Sequence, residues 1–315
     1  MTKTFAPDVP RLRLGTRNSP LAMAQAHEAR ARLCAAHGWD EATVELVPVL
    51  ASGDKVLDRP LADIGGKALW TKELDGWLAE GRIDAAVHSM KDVETLRPGW
   101  LSIAAVLPRA DVRDVLVGAA SIAALPPGAR VGTSAPRRAA QMLNARPDCT
   151  IVSFRGNVAT RLGKLAAGEA DSTLLAAAGL ERLGQRDVGV VLDARAWLPA
   201  PAQGAIGIEC RADDAAACAL IAAIDHAPSR VQVMAERALL KALGGTCHSP
   251  IAVLSERAGE GGILLRASLF SPDGTERVDD TESVVPGDET APMRLARRLL
   301  VRAGPLIRVH FAGAP

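Results

Sequence analysis

Apolar and polar residues follow two alternating rhythms along the first two thirds of the chain. Short apolar runs of strand length occur at Arg11 to Leu14, Val44 to Leu50, Asp84 to Ser89, Arg130 to Thr133, Thr150 to Phe154, Ser172 to Ala178 and Gly204 to Cys210. Helical stretches fall between them: Ser19-Pro20 to about Ala36, Thr71 to Glu80, Ser134 to Ala145, Val158 to Ala167 and Asp213 to Ile224. Serine as N-cap followed by proline at the first helical position marks the start of the first helix. This alternation predicts α/β sheets covered by helices. From about residue 227 the style changes. A helix over Pro228 to Leu243 precedes three consecutive strands, Ile251 to Ser255, Ile263 to Phe270 and Arg277 to Val285, and an amphipathic helix over Ala291 to Arg302. A smaller α+β domain is expected there.

One internal echo bears on domain organisation. Leu14-Gly15-Thr16-Arg17-Asn18-Ser19-Pro20 resembles Val131-Gly132-Thr133-Ser134-Ala135-Pro136-Arg137-Arg138. Each reads as strand, Gly-Thr, then a helix start with arginine. Coincidence between two β-to-α turns is one reading. The other is two related α/β domains, each aiming a helix N-terminus, a natural anion site, at a shared cleft.

Composition narrows the function classes. The 315 residues have room for two or three domains, and 48% hydrophobic with 23% charged residues is ordinary for a globular enzyme. A net charge of +1 argues against nucleic acid or an anionic membrane as partner, so anion affinity must come from local clusters. The N-terminal stretch lacks the apolar segment of a signal peptide, and no run approaches the roughly 18 apolar residues of a membrane helix. A cytoplasmic location is expected. Cys34, Cys149, Cys210, Cys218 and Cys247 are scattered with no Cys-x-x-Cys pair, which supports neither a disulfide framework nor a zinc site. The first four read as small core or semi-buried residues. Cys247 differs, standing in the loop LGGTCHSPI, where a glycine pair ends a helix and Ser249-Pro250 turns into a strand.

Basic residues recur where strands meet helices: Arg17, Lys91, Arg137, Arg138, Arg155 and Arg161. A single such arginine is usually a solvated surface residue. A set at strand carboxyl ends, which border the ligand crevice of open α/β sheets, points to a ligand with several anionic groups. Arg155-Gly156-Asn157 also lets the backbone approach a ligand closely. Asp92, in His88-Ser89-Met90-Lys91-Asp92, is a carboxylate in a basic setting. It reads as a helix cap or ion-pair partner, or as a general acid/base and cation stabiliser beside a ligand that develops positive charge. The glycine-bearing connection from Ser52 to Trp70 has the character of a lid. Gly66-Lys67 lacks the rest of a phosphate-binding P-loop, and no serine elbow, His-Glu-x-x-His pair or dinucleotide fingerprint is present.

Together GTRNSPLAMAQA, GGKALWTKEL, AAVHSMKD, VGTSAPRR, FRGNVATRLGKL, AAAGLERLG, PAQGAIGIEC and GGTCHSPI resemble the porphobilinogen deaminase (hydroxymethylbilane synthase) family, in its order and over roughly residues 11 to 251. The resemblance implies an α/β fold with two domains similar to type II periplasmic binding proteins flanking a cleft, plus a smaller C-terminal α+β domain. The bounds expected are 1–107 with 204–222, 108–203 and 227–315. It implies that Cys247 carries a covalent dipyrromethane cofactor through a thioether, with no metal or nucleotide. Onto it the family adds four porphobilinogen units, releasing ammonia and finally hydroxymethylbilane. Asp92 matches the catalytic aspartate. Arg17, Ser19, Lys91, Thr133, Ser134, Arg137, Arg138, Arg155, Gly156, Asn157 and Arg161 match the carboxylate-holding set, with Arg182 as a further member. Lys67 and Trp70 belong to the lid and Gln203 lies near the hinge.

Three features depart from the family pattern. Asp63 stands where relatives often carry lysine, Trp70 where phenylalanine is common, and Ala135-Pro136 in place of the more usual Ser-Leu. The expected partner is porphobilinogen, met by a monomer that binds neither nucleic acid nor membrane; hand-off of product to the next tetrapyrrole-pathway enzyme is open. The alternative is a non-catalytic two-domain binding protein for a polyanionic small molecule. Cys247-His248 makes a poor hydrolase pair, since neighbours on a turn point apart.

Overall fold

The computed structural model describes residues 11–49, 71–259, 261–285 and 288–311. Strand β1 (Leu12–Arg17) leads into helix α1 (Pro20–His37), whose first turn is capped by the Ser19 hydroxyl accepting from the Ala22 amide. After β2 (Val44–Val49), helix α2 (Lys72–Ala79) precedes β3 (Ala85–Ser89), and β4 (Leu101–Val106) follows. The chain then crosses over. Strands β5 (Asp114–Val117), β6 (Arg130–Gly132), β7 (Thr150–Val152), β8 (Ser172–Ala176) and β9 (Val190–Val191) build a second sheet, with helices α3 (Pro136–Ala145), α4 (Val158–Ala166) and α5 (Ala177–Arg182). Strand β10 (Ile206–Arg211) returns to the first sheet, followed by α6 (Ala215–Ala222).

The two sheets share one topology. The first runs β2-β1-β3-β10-β4 and the second β7-β6-β8-β5-β9. In each, three strands are parallel, and the fourth, the strand that has crossed over, lies antiparallel between the third and the last. The Gly-Thr echo falls at equivalent places, ending β1 before α1 and β6 before α3. Both glycines are required by close approach: a Cβ at Gly15 would collide with Ile83 and Leu74, and one at Gly132 with the Phe154 ring. The apolar strands expected from sequence are present. Several differences arise. Strands β4, β5 and β9 lie outside the runs expected from sequence, and β4 and β5 follow one another with no helix between them. The run ending at Ala178 breaks at Ala177 into a strand and a short helix. The helix expected from Ser134 starts at Pro136, whose fixed φ suits the first helical position after an extended Ala135.

A third sheet, β11 (Ile251–Arg257), β12 (Ile263–Phe270) and β13 (Arg277–Val284), is an antiparallel meander packed against α7 (Ala227–Ala242) and α8 (Ala291–Arg302); α9 (Pro305–Arg308) closes the described chain. It is tied to the crossing segment by Arg109, whose guanidinium donates to both Glu236 oxygens of α7 at 2.7 and 2.9 Å and to the Gln203 carbonyl at 2.9 Å.

The second sheet is organised around a buried carboxylate. Asp114, fully buried at the start of β5, accepts from Arg137 at 2.7 Å, Arg138 at 2.7 and 3.3 Å, the Trp197 indole at 3.0 Å and the Gln203 amide at 2.9 Å. Burial works to raise its pKa, but the fields of Arg137 and Arg138 overcome that and hold it well below the ordinary carboxylate range. A depressed carboxylate adds stability above its unfolded pKa and loses it as pH falls. Asp114→Asn should therefore cost about 3–5 kcal/mol in urea unfolding at neutral pH, because two guanidiniums lose their counter-charge. The deficit relative to the parent should shrink below about pH 4. A variant as stable as the parent would show that the hub carries no such weight.

Candidate functional site

Asp92 is placed by a strand that ends in a tight turn. β3 delivers buried His88 and then a 3₁₀ turn, Met90–Asp92, closed by the Val93 amide on the Met90 carbonyl. Met90 is wedged beneath Gly207 of the return strand, and its amide donates to the Ala205 carbonyl at 3.0 Å. Asp92 thus sits at the carboxyl edge of the first sheet, lining a small open pocket with Arg17, Ser19, Gln25, Thr71 and Ser89. Gln25 and Ser89 hydrogen-bond across it at 2.8 Å, and Thr71 donates to Glu94 at 2.9 Å.

The opposite wall comes from the second sheet. Thr133 is buried and its hydroxyl accepts from the Ala135 amide, while Ser134 donates to the Phe154 carbonyl at 2.8 Å. Arg155 is buried. Gly156 turns the chain at φ 104°, and the Asn157 side chain caps α4 by accepting from the Thr160 amide at 2.9 Å. That cap aims α4 so that Arg161 donates back to the Gly156 carbonyl at 3.0 Å.

Electrostatics show how these groups converge. Burial pushes Lys91 down to about 8, helped by Arg138 and Arg137 and opposed by Asp92 and Asp114. Burial likewise pushes Arg161 down to about 10, with Arg138 and Arg155 adding repulsion against the pull of Asp92. A carboxylate from the first sheet therefore lies among cations from both sheets. These cations are crowded and desolvated, a state that an anionic ligand would relieve.

Arg137 and Arg138 are less free than their sequence setting suggests. Both point into the protein at Asp114, and they also donate to the Leu198 and Leu174 carbonyls. The buried Nε of Arg137 has no hydrogen-bond partner. Arg182 is occupied by Glu28 of α1 at 3.4 Å and by the Gly204 carbonyl at 3.3 Å, a link between the sheets. Gln203 spans them as well: its amide N–H groups reach Asp114 and the Val112 carbonyl, and its oxygen accepts from Lys91 at 3.4 Å. Lys67, Trp70 and Asp63 lie outside the described residues.

Cys247 is exposed on the loop after α7. Desolvation by its surroundings, followed by the fields of Asp92 and Glu94, pushes its thiol up to about 11. The fields of the two carboxylates reach Cys247 because its loop lies on the Asp92 side of the cleft. Two contacts fix this approach. Thr95 donates to the Gly245 carbonyl at 3.0 Å, and Arg237 of α7 donates to the Val93 and Glu94 carbonyls at 3.3 and 2.8 Å. Asp114, Gln25, Ser89, Thr71, Thr95 and Arg237 are site-shaping residues that sequence reasoning passed over. Gln25 alone carried a readable signal, a polar residue on the apolar face of α1. An exposed thiol within the field of Asp92, a carboxylate that itself lies among cations, fits a thioether-linked polycarboxylate. Among the described residues no group of His, Cys, Asp and Glu could hold a metal ion, and no helix is long and apolar enough to cross a membrane.

Two family models match: porphobilinogen deaminase, dipyrromethane cofactor binding domain, over residues 12–219, and porphobilinogen deaminase, C-terminal domain, over residues 231–301. The chain belongs to the porphobilinogen deaminase family. The porphobilinogen deaminase of Sphingopyxis alaskensis is 58% identical over 99% of this chain and 100% of that protein. That of Paracoccus denitrificans is 49% identical over 96% and 97%, and the chloroplastic enzyme of Oryza sativa 46% over 93% and 84%. The arginine-specific periplasmic binding protein STM4351 of Salmonella typhimurium aligns at 14% identity and a TM-score of 0.39 over 69% of this chain and 92% of that one, a likeness that bears on neither ligand nor activity.

The depressed Lys91 is open to direct test. Competitive acetylation across a pH series should give Lys91 an inflection near 8, below the ordinary lysine value of about 10.4. Asp92→Asn should lower it further by removing an attractive charge. Titration of Lys91 with the surface lysines would refute the crowded-cation account.

Proposed function

We propose that the protein is a porphobilinogen deaminase that condenses four porphobilinogen molecules head to tail on a Cys247-linked dipyrromethane primer, then releases hydroxymethylbilane by hydrolysis. The observation that carries this reading is the meeting of Asp92 with cations of both sheets beside the Cys247 loop. The family assignment supplies the substrate class. Cytoplasmic location, a monomeric state, product hand-off and domain bounds at 1–107 with 204–222, 108–203 and 227–315 form part of the same proposal.

When bound, the dipyrromethane supplies the free pyrrole α-carbon from which the chain is extended. Cys247 would hold it. Its acetate and propionate groups, and those of the substrate, would fall to Arg17, Ser19, Lys91, Arg155, Arg161 and the amide-rich turn at Gly156 and Asn157. Thr133 and Ser134 shape that wall through the backbone contacts described above. Arg137 and Arg138 add positive potential, with direct contact limited to the donors Asp114 leaves unused. Arg182 reaches a ligand carboxylate only by giving up Glu28.

Asp92 is the acid/base group. Its carboxylate would hydrogen-bond the incoming pyrrole N–H and assist departure of ammonia from the aminomethyl carbon. It then stabilises the cation left on the substrate and guides removal of the α-proton after the carbon–carbon bond forms. Engagement of the surrounding cations with ligand carboxylates would spare the developing cation from repulsion. A binding protein without chemistry explains the arginines but leaves Asp92 and the Cys247 loop without a purpose.

Intact mass under denaturing conditions, with peptide mapping, should find an adduct of two pyrrole units on the Cys247 peptide. A chain still bare after incubation with porphobilinogen would favour the binding-protein reading. Asp92→Asn should retain the fold and most carboxylate binding yet lose about 10²–10⁴ in turnover, the usual contribution of a positioned acid/base. Near-parental turnover in that variant would remove Asp92 from the mechanism.

A further inference from the structure

Two cysteines outside the cleft are in direct contact. The Cys210 and Cys218 sulfurs lie 3.0 Å apart, the only thiol–thiol contact among the described residues. Cys210 is fully buried on β10, the crossing strand at the heart of the first sheet, while Cys218 on α6 is partly exposed. A turn capped by Asp214 separates them. The Asp214 carboxylate accepts from the Ala217 amide at 3.0 Å and from Arg211 at 2.6 Å, so the turn that sets the sulfur spacing is itself fixed. The Cys218 thiol also faces the Arg211 carbonyl at 3.5 Å, which holds it over the end of the strand.

We propose that Cys210 and Cys218 form a reversible oxidation site, closed to a disulfide by hydroperoxides, that staples α6 to β10. From 3.0 Å, closure needs about 1 Å of sulfur movement to reach the S–S bond length of about 2.05 Å. The partly exposed Cys218 takes the first step. Its thiolate attacks one peroxide oxygen, the O–O bond breaks, and the products are a Cys218 sulfenic acid and hydroxide. The Cys210 sulfur then attacks the Cys218 sulfur. The S–S bond forms, the S–O bond breaks, and the Cys210 proton leaves with the hydroxyl as water. The net change is two thiols and one hydrogen peroxide to one disulfide and two waters.

Burial, with the Cys218 contact, pushes the Cys210 thiol up to about 12, so it is the resolving and not the initiating group. Contact geometry offsets its weak acidity. Among the remaining thiols, Cys34 and Cys149 are buried, and neither contacts another sulfur.

The pair is remote from the chemistry. Along β10, Ile206 sits opposite Ser89 at the cleft end of β3, whereas Cys210 sits opposite Ala85 at the far end. The staple therefore tightens the first sheet without touching Asp92 or the opposing cations.

Trypsin cleavage at Arg211 puts the two cysteines on separate peptides, which makes the test direct. Loaded full-length protein is treated with hydrogen peroxide, its free thiols are alkylated, and it is digested without reductant. A Cys210–Cys218 linked peptide pair, lighter than the sum by two hydrogens and separated by dithiothreitol, is expected. The unfolding midpoint should rise by several degrees on oxidation and turnover should stay within about twofold. In Cys218→Ser the link and the rise should both vanish, with Cys210 recovered alkylated at the same peroxide dose. Sulfinic acid on Cys218 without a link, recovery of both thiols alkylated, or loss of turnover that tracks the linked fraction would each overturn the proposal.

Discussion

A cleft walled with arginines can exist only if something inside the protein neutralises part of the charge, and here that is Asp114. Arg137 and Arg138 are consecutive residues on the first turn of α3, both almost wholly buried. Side by side in a poorly solvated place they repel each other. A carboxylate that accepts from both removes the repulsion at close range while leaving the trio with net positive charge. Trp197 and Gln203 saturate the remaining lone pairs, so the carboxylate is as fixed as the residues it holds. Through Gln203 the same group reaches Lys91 on the other sheet. The strand that carries Asp114, the helix that carries the arginines and the return segment that carries Gln203 thus share one electrostatic centre.

The crossing topology decides which charges meet. Because β5 and β10 each leave one half and enter the sheet of the other, the two halves are joined twice. The carboxyl edges of the parallel strands can then face each other across a common cleft, the usual ligand position in open α/β sheets. The first sheet contributes the carboxylate Asp92, and the second contributes Arg155 and Arg161. Chemistry on a cation and binding of many carboxylates need opposite charges close together. Placing them on separate sheets lets each be held by its own core, with no single loop obliged to carry both.

Legibility in the sequence followed chain distance. Strands β1, β3, β6 and β8, the Ser19-Pro20 helix start and the Gly-Thr echo are local patterns set by backbone preference and burial, and they read correctly. β5 did not, since it opens with an aspartate and follows β4 with no helix between, contrary to the expected alternation; β9 has two residues and no period. At the site, the residue types that bear charge were legible but their partners were not. Arg137 reads as a ligand arginine until Asp114, 23 positions away, claims it. Other long-range partners are equally absent from local pattern: Arg97 meets Glu209 across 112 positions, and Thr95 meets Gly245 across 150. A periodic pattern records which face is buried; it holds no record of which polar groups pair there.

The Thr95–Gly245 bond and the Arg237 clamp have a consequence for how a chain could lengthen inside the cleft. Val93 to Thr95 directly follow Asp92, and the loop bearing Cys247 directly follows α7, so these bonds join the proposed catalytic carboxylate and the proposed attachment point over a few residues on each side. Backbone carbonyls are the acceptors throughout, and the donors are the Thr95 hydroxyl and the Arg237 guanidinium. Growth by sliding the Cys247 loop away from Asp92 would break four hydrogen bonds, one buried and three partly buried. The contacts between the two sheets at Arg182–Glu28 and Lys91–Gln203 are long and few by comparison, at 3.4 Å each. Among these contacts of the described residues, the shorter ones tie the Cys247 loop to the Asp92 segment, and the longer ones run between the sheets.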